Sequence, residues 1–266
     1  MKINSWRLKP VSLNWPRKKI QVAPYTSLAR VYNYVMRHVD YEAWAEYIHQ
    51  LLSRFDHPIN RVFDVACGTG NFIFELMKHD YVLGGFDYTA EMVALARKKA
   101  RKMQVSIPFW RGSMLHFGLA QPQDAIVCLY DSINYLLEIE ACQNFFSQAF
   151  LNLNERGVLI FDICTEWNSI RHFQDYHDKE KTGTFSVNRK SYYDKSRRIH
   201  HNDFEIIFFN EPAIFFEQHV QRIYYIEEMR GAIPTDKFEL KAIYEGFSRR
   251  KGTEDSERVH FILQKK

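Results

Sequence analysis

The strongest constraint on the fold is a segment in which a largely apolar run passes into a glycine-containing turn and then into a helical pattern. Residues 62–65 form the run, Gly68 and Gly70 punctuate the turn, and Phe72 opens the helical pattern. Glycine suits such a turn because a residue without Cβ adopts positive φ and lets a ligand approach the main chain. The segment predicts the strand–loop–helix unit of a nucleotide-binding α/β fold.

A second strand-like run, residues 81–86, ends in Asp87. A carboxylate at the tip of the second strand is the usual ribose ligand, because each hydroxyl of the diol donates to one carboxylate oxygen. Asp87 is therefore the predicted ribose ligand, and the alternative is a solvated acid at a strand end.

The loop lacks the glycines that bind a pyrophosphate. Ile73 occupies the position where a dinucleotide fingerprint has its third glycine, and no G-x-x-x-x-G-K-[ST] sequence occurs in the chain. The pattern favours an adenosine ligand without phosphates, of which S-adenosylmethionine is the common one. A nicotinamide cofactor is the disfavoured alternative.

These motifs resemble those of the class I S-adenosylmethionine-dependent methyltransferases. The stretch from Asp64 to Gly70 is similar to their first motif, with Ala66 in place of its first glycine, and residues 84–92 are similar to their second. The resemblance implies that S-adenosylmethionine is the cofactor and that Ser113 contacts the adenine edge. The core cofactor-binding residues that it implies are Asp64, Ala66, Cys67, Gly68, Gly70, Asp87, Tyr88, Met92, Ser113 and Met114.

The segment from Asp131 to Leu136 resembles a subgroup that includes sugar-amine N-methyltransferases and uncharacterised bacterial members. In this subgroup Asp131 would face the methyl group, and Tyr130 would join the cofactor site. Three aromatic residues near the N-terminus would close over the methionine end of the cofactor, namely Tyr25, Tyr32 and Trp44. Aromatic packing of N-terminal helices is the alternative reading of these three.

Residues 216–222 also match the small β domain of that subgroup. Strand alternation puts Glu217, His219 and Gln221 on one face, which is a candidate roof for the acceptor pocket. Asp131, Tyr32 and His219 are the predicted catalytic residues. His116 or another tyrosine is an alternative base, and a packed structural histidine is the alternative reading of His219.

Strand and helix patterns alternate from residue 61 to residue 163, after helices that lie between residues 28 and 55. This rhythm predicts an α/β fold with a Rossmann-like, doubly wound, mostly parallel sheet. Three antiparallel strands are expected within 184–228, as a small antiparallel β subdomain inserted after the fifth strand. A helix near 235–245 and a last strand at 259–263 would complete the core.

The predicted division is an N-terminal extension at 1–24, a core at 25–170 plus 229–266, and an inserted substrate lid at 171–228. The four cysteines lack any C-x-x-C spacing, so neither a disulfide framework nor a metal site is expected. The N-terminus has no apolar stretch typical of a signal peptide, and no membrane association is expected. A cytoplasmic protein is the resulting prediction.

The predicted activity is methyl transfer to a small-molecule acceptor, at an amine or a hydroxyl. Basic clusters such as Arg97–Lys102 keep RNA or tRNA as an alternative acceptor, although the net charge of +4 is too small to favour it. A protein that binds S-adenosylmethionine without turnover is a further alternative. The oligomeric state is not predicted.

Overall fold

The computed structural model describes residues 17–266, which contain two β-sheets and seven α-helices. The central sheet has seven strands. In spatial order they are β11 (Phe238–Glu245), β12 (Arg258–Lys265), β6 (Leu153–Cys164), β5 (Gln123–Cys128), β2 (Arg61–Val65), β3 (Val82–Asp87) and β4 (Phe109–Arg111).

The five strands from β6 to β4 are parallel, whereas β12 and β11 run antiparallel to their neighbours. The chain runs from β2 outward through β3 to β4 and then returns to β5 on the other side of β2. The strand order therefore reverses between β2 and β5, and ligands of open α/β sheets bind at the carboxyl ends of strands beside such a point.

Helices cover both faces of this sheet, and a separate apolar core fills each side. Helices α2 (Tyr41–Leu52), α3 (Asn71–Leu76) and α4 (Ala90–Met103) pack on one face. Helices α5 (Ile139–Asn152) and α7 (Ile226–Ala232) pack on the other. The Rossmann-like, doubly wound and mostly parallel sheet predicted from the sequence is confirmed.

The second sheet has five strands in the order β1 (Lys18–Val22), β10 (Ala213–Arg222), β9 (Ile199–Phe208), β8 (Phe185–Asp194) and β7 (Asp175–Lys181). Strands β7 to β10 form an antiparallel meander, and β1 joins its edge in parallel with β10. Helices α1 (Ala29–Val35) and α6 (Glu166–Phe173) complete the α-helices, and two short 3-10 helices lie at Met77–His79 and Ser132–Tyr135. On β9 alternate residues are buried, so one face of this sheet is turned inward.

The three antiparallel strands expected within 184–228 are present as β8, β9 and β10. The charged β7, which precedes them and pairs along its length with β8, was not predicted. One expectation about the second half of the chain is wrong. The helix expected near 235–245 is strand β11, which pairs with β12 and forms a bulge between Leu240 and Ala242.

The division into domains stays a prediction. Of the predicted extension at 1–24, residues 1–16 lie outside the described part, and the rest includes β1. Within residues 17–266 no helix combines the length and the apolar character that crossing a membrane requires.

Candidate functional site

The loop after β2 takes a left-handed main-chain conformation at three positions. Ala66 has φ +67°, Gly68 +55° and Gly70 +76°. A Cβ added to Gly70 would lie 2.9 Å from the ring of Phe74, whereas one added to Gly68 would meet no atom within 4 Å. Gly70 is therefore required by internal packing, and Gly68 leaves bare main chain beside open space at the sheet edge.

Asp87, at the end of β3, links the two predicted cofactor motifs. Its Oδ2 accepts the N–H of Gly68 at 2.9 Å, and its Oδ1 accepts the N–H of Thr89 at 2.8 Å. Burial raises the pKa of Asp87, and burial together with the neighbouring Asp87 raises the pKa of Asp64 well above its usual value. Each Asp87 oxygen keeps a lone pair for a further donor, as a ribose diol requires. Cys67 continues the loop, and its N–H donates to the carbonyl of Phe86 at 2.9 Å.

The residues predicted to flank the adenine differ in exposure. Tyr88 is 69% exposed, and its carbonyl accepts Nε of Arg111 at 3.0 Å. Met92 is buried on the first turn of α4, so its side chain belongs to the protein interior. Ser113 and Met114 are half-buried just after β4, where Oγ of Ser113 accepts the N–H of Leu115 at 3.2 Å. Their contacts with an adenine stay predictions.

Aromatic side chains cluster where β10 of the second sheet meets the loop after β5, a region termed the cleft. The rings of Tyr25 and Tyr32 lie 5.9 Å apart, and those of Trp44 and Tyr130 lie 5.6 Å apart. Burial raises the pKa of Tyr25, Tyr32 and Tyr130, so these phenols are neutral at physiological pH. Tyr25 and Tyr130 also have positive φ values of 63° and 60°. Left-handed non-glycine residues are costly and cluster at functional sites.

Asp131, which follows Tyr130 and has φ +52°, is held from three directions. Its Oδ1 accepts from Arg258 at 2.6 Å, and its Oδ2 accepts from Gln221 of β10 at 2.6 Å. Its N–H donates to Asp162 at 2.9 Å, and Asp162 also pairs with Arg258. Burial raises the pKa of Asp162 to about 6. Because both Asp131 oxygens are engaged, this residue is suited to position groups more than to accept a proton.

His219 lies at the centre of a buried hydrogen-bonded chain. Its Nε2 is 3.0 Å from Oε2 of Glu217, and its Nδ1 is 2.9 Å from the hydroxyl of Tyr135. The Tyr135 hydroxyl lies 2.7 Å from that of Tyr25. The chain therefore leads from a buried carboxylate through an imidazole to two phenols at the cleft.

Glu217 also fixes the segment that carries Tyr25. Its carboxylate accepts main-chain N–H groups from Tyr25 at 2.7 Å, Ser27 at 2.6 Å and Leu28 at 2.8 Å. Both carboxylate oxygens therefore act as hydrogen-bond acceptors toward the main chain. Glu217 therefore orients the imidazole and anchors the start of α1 at the same time.

The structure brings most of the predicted residues to one edge, with two differences. Tyr32 contacts Tyr25 but is not part of the hydrogen-bonded chain that contains His219. Tyr135 and Glu217 are functional candidates that the sequence reasoning did not select. The alternation that pairs Glu217 with His219 on one strand face was the signal available for Glu217.

Comparison with known proteins identifies relatives that are named as methyltransferases. Residues 62–157 match the protein family described as "Methyltransferase domain". A protein of Geobacillus sp. (strain WCH70), named as a candidate methyltransferase, is 29% identical over 251 residues, which cover 91% of this chain and 99% of that protein.

Two solved structures share the fold. An S-adenosylmethionine-dependent methyltransferase from Clostridium acetobutylicum ATCC 824 is 20% identical with a TM-score of 0.77, covering 90% of this chain and 98% of that chain. The sugar N-methyltransferase KedS8 from Streptoalloteichus sp ATCC 53650 is 18% identical with a TM-score of 0.72, covering 98% of both chains.

Proposed function

We propose that this chain, an S-adenosylmethionine-dependent methyltransferase, transfers the methyl group to an amine or a hydroxyl of a small-molecule acceptor. The recognition of the enzyme class from the sequence, and the cofactor that it implies, are confirmed. The acceptor is the proposal, and the observation that carries it is the hydrogen-bonded chain from Glu217 to Tyr25.

The residues of the cleft fit the cofactor. Asp87 has lone pairs for the ribose, and the main chain at Gly68 has open space beside it. When bound, S-adenosylmethionine supplies a sulfonium methyl group; the acceptor forms a bond to its carbon as the C–S bond breaks, and the electron pair of that bond stays on sulfur. The nucleophile gains a positive charge in this step and must release a proton.

The hydrogen-bonded chain offers a route for that proton. Because both oxygens of Glu217 act as acceptors, Nε2 of His219 carries a hydrogen and its Nδ1 accepts from Tyr135. The Tyr135 oxygen then accepts from Tyr25, whose own oxygen is left to accept from the nucleophile. The pKa values of Tyr25 and Tyr135 are raised, so neither phenol keeps a negative charge. The two hydroxyls therefore pass the proton along the chain to His219, which lies beside Glu217.

Two effects set the expected size of the catalysis. Holding the nucleophile in line with the methyl group contributes about 7–11 kcal/mol by proximity and orientation. Removing the proton through a positioned base contributes about 10²–10⁴-fold in rate. A nucleophile that already lacks its proton would gain nothing from the second effect, so the chain from Glu217 to Tyr25 favours an amine or a hydroxyl.

The walls of the cleft support a small acceptor. The second sheet turns a polar inner face, including Gln221 and His219 of β10, toward the loop after β5. The structural neighbour KedS8 is named as a sugar N-methyltransferase, which supports an amine on a polar molecule. RNA is the alternative acceptor, and the exposed basic residues of α4 are the observation that keeps it open.

The test is a screen of labelled methyl transfer from S-adenosylmethionine to pools of amines, sugars, phenols and RNA, with His219→Asn and Tyr135→Phe as variants. We expect an amine or hydroxyl pool to be labelled, and both variants to lower kcat by about 10²-fold or more with little change in cofactor affinity. His201→Asn, on the outer face of the same sheet, is the matched control.

Labelling of RNA with all small pools inert would replace the proposed acceptor. Cofactor binding without any transfer would identify a non-catalytic binding protein. Full activity of both variants would remove His219 and Tyr135 from the mechanism.

A further inference from the structure

The inward face of the second sheet is polar where it approaches the cleft. Inward residues on β8 are Arg189, Ser191 and Tyr193, and their partners on β9 are Phe204, Asn202 and His200. Buried polar groups are costly unless they are hydrogen-bonded to the protein or to a ligand. The hydrogen bonds of this face therefore indicate which groups are left for a ligand.

Arg189 is a largely buried cation without an acidic partner in the described part of the chain. Its Nε donates to Ser191 and Asn202 at 3.0 Å each, and its Nη2 donates to Asn202 at 2.6 Å. Within residues 17–266, Nη1 makes no hydrogen bond and the guanidinium forms no salt bridge. Three rings surround its Cζ, with centroids at 5.0 to 5.7 Å: Phe173, Tyr176 and Phe204.

His200 is a second incompletely paired group beside Arg189. The imidazole is buried, its Nδ1 lies 3.3 Å from Oγ of Ser169, and its Nε2 has no partner in the described residues. Its ring centroid lies 5.3 Å from that of Phe173, the same ring that Arg189 contacts. Burial, followed by the charge of Arg189, lowers the pKa of His200 to about 4. At neutral pH its unpaired nitrogen can donate one N–H.

One ring separates Arg189 from the hydrogen-bonded chain of His219. The ring centroid of Phe204 lies 5.7 Å from Cζ of Arg189 and 5.1 Å from the ring centroid of His219. His219 in turn lies 2.9 Å from the hydroxyl of Tyr135. The guanidinium therefore shares the inward face of the second sheet with the residues proposed to receive the proton of the acceptor.

We propose that Arg189 and His200 form a binding site for an anionic group, a carboxylate or a phosphate, carried by the methyl acceptor. This inference rests on the proposed function, since it assigns the remote part of the same acceptor. The planar fork of an arginine pairs with the oxygens of carboxylate and phosphate groups alike. An anion at this position would neutralise the buried guanidinium, while Ser191 and Asn202 hold the fork in place.

The test titrates inorganic phosphate and acetate, at constant ionic strength, into the complex with S-adenosylhomocysteine, with ¹⁵N-histidine spectra as the readout. We expect at least one anion to bind saturably and to move the ring signals of His200. The stronger of the two identifies the group on the acceptor. Because no methyl transfer is required, this result is independent of the outcome of the acceptor screen.

Arg189→Gln should weaken the binding of that anion about tenfold or more, and Arg189→Lys should weaken it less. Lys190→Gln removes one positive charge from the outer face of β8 and should leave the affinity for the anion unchanged. If neither anion moves His200 in the unaltered protein, the proposal is wrong.

A separate experiment tests whether Arg189 binds the carboxylate of the cofactor instead of an anionic group of the acceptor. Arg189→Gln should bind S-adenosylhomocysteine and the carboxylate-free 5′-methylthioadenosine as the unaltered protein does. Loss of affinity for S-adenosylhomocysteine alone would assign Arg189 to the cofactor and overturn the acceptor site.

Discussion

The main-chain N–H of Gly68 donates to Oδ2 of Asp87 at 2.9 Å, so the two cofactor motifs are hydrogen-bonded to each other. The predicted ribose ligand is thereby positioned by the loop that is predicted to lie beside the rest of the cofactor. A change at either residue is expected to affect both parts of the site.

Asp87→Ala should remove most of the affinity for the cofactor. Two hydrogen bonds from the ribose to a charged group are worth about 1.5–3 kcal/mol each, so the dissociation constant of S-adenosylhomocysteine should rise about 100-fold or more. Isothermal titration calorimetry measures this constant, and Asp236→Ala, at an exposed position, is the control. Unchanged binding by a folded Asp87→Ala protein would contradict the ribose assignment.

Gly68→Ala and Gly70→Ala should have different effects. At Gly68 the new methyl group enters open space, so the stability should fall by only about 1–2 kcal/mol from the left-handed conformation while cofactor affinity falls strongly. At Gly70 the methyl group also meets the Phe74 ring, which should add about 1–3 kcal/mol of overpacking. Urea unfolding and calorimetry separate the two effects. Ala66→Gly, which relieves φ +67°, should not destabilise the protein.

His260→Phe should make the stability of the protein less dependent on pH. His260 is buried among aromatic rings, neither ring nitrogen has a partner within residues 17–266, and burial with the Arg258 charge lowers its pKa to about 3. Its unfolded pKa is about 6.5, so the unfolded chain binds the extra proton between these values. Stability is therefore lost as pH falls from about 6.5 toward 3, by at most about 1.4 kcal/mol per unit.

Urea unfolding at several pH values between 4 and 7 checks this expectation. His200, with a pKa of about 4, contributes a slope of the same sign, whereas Asp162, with a pKa raised to about 6, opposes both below pH 6. The free energy of unfolding is plotted against pH for the unaltered protein and for His260→Phe, and the difference between the two slopes gives the contribution of His260. An equal slope in His260→Phe would show that His260 does not contribute to the pH dependence of stability.

Arg258→Met should destabilise the protein by roughly 3–5 kcal/mol, because it leaves the buried Asp162 and the adjacent Asp131 without their cation. Adding Asp162→Asn should restore part of that loss, since the double variant buries one charge fewer. Urea unfolding of both single variants and the double variant gives the coupling energy. Strictly additive losses would show that the two residues do not interact.

The part of the fold that is proposed to bind the cofactor was predictable because its signals are local. Glycines at fixed spacing between two apolar runs, and an acid at the end of the second run, specify β2, its loop and β3. Strand β11 was mistaken for a helix because the spacing of its apolar residues fits either periodicity. Its pairing with β12 decides the outcome, and that partner is distant in sequence. The charged β7 carries no apolar alternation at all.

The position of the candidate site in the fold was predictable, whereas the hydrogen bonds between its residues were not. The edge formed by Asp87 and Asp131 follows from strand order, but the contact between Tyr135 and His219 joins residues 84 positions apart. Arg189 and His200 carry no sequence motif, and only the register of β8 and β9 brings them to one face. The contact between Tyr135 and His219 depends on how β10 packs against the loop after β5, which the sequence does not encode locally.

The alternation along β10 concentrates three separate tasks on one strand. Glu217 secures the start of α1, His219 contacts Tyr135, and Gln221 contacts Asp131. A shift of one residue would turn all three side chains outward together. Lengthening or shortening the 209–212 hairpin is therefore far more damaging than any single replacement on the strand, and viable descendants of this enzyme should vary here by substitution while keeping the hairpin length constant.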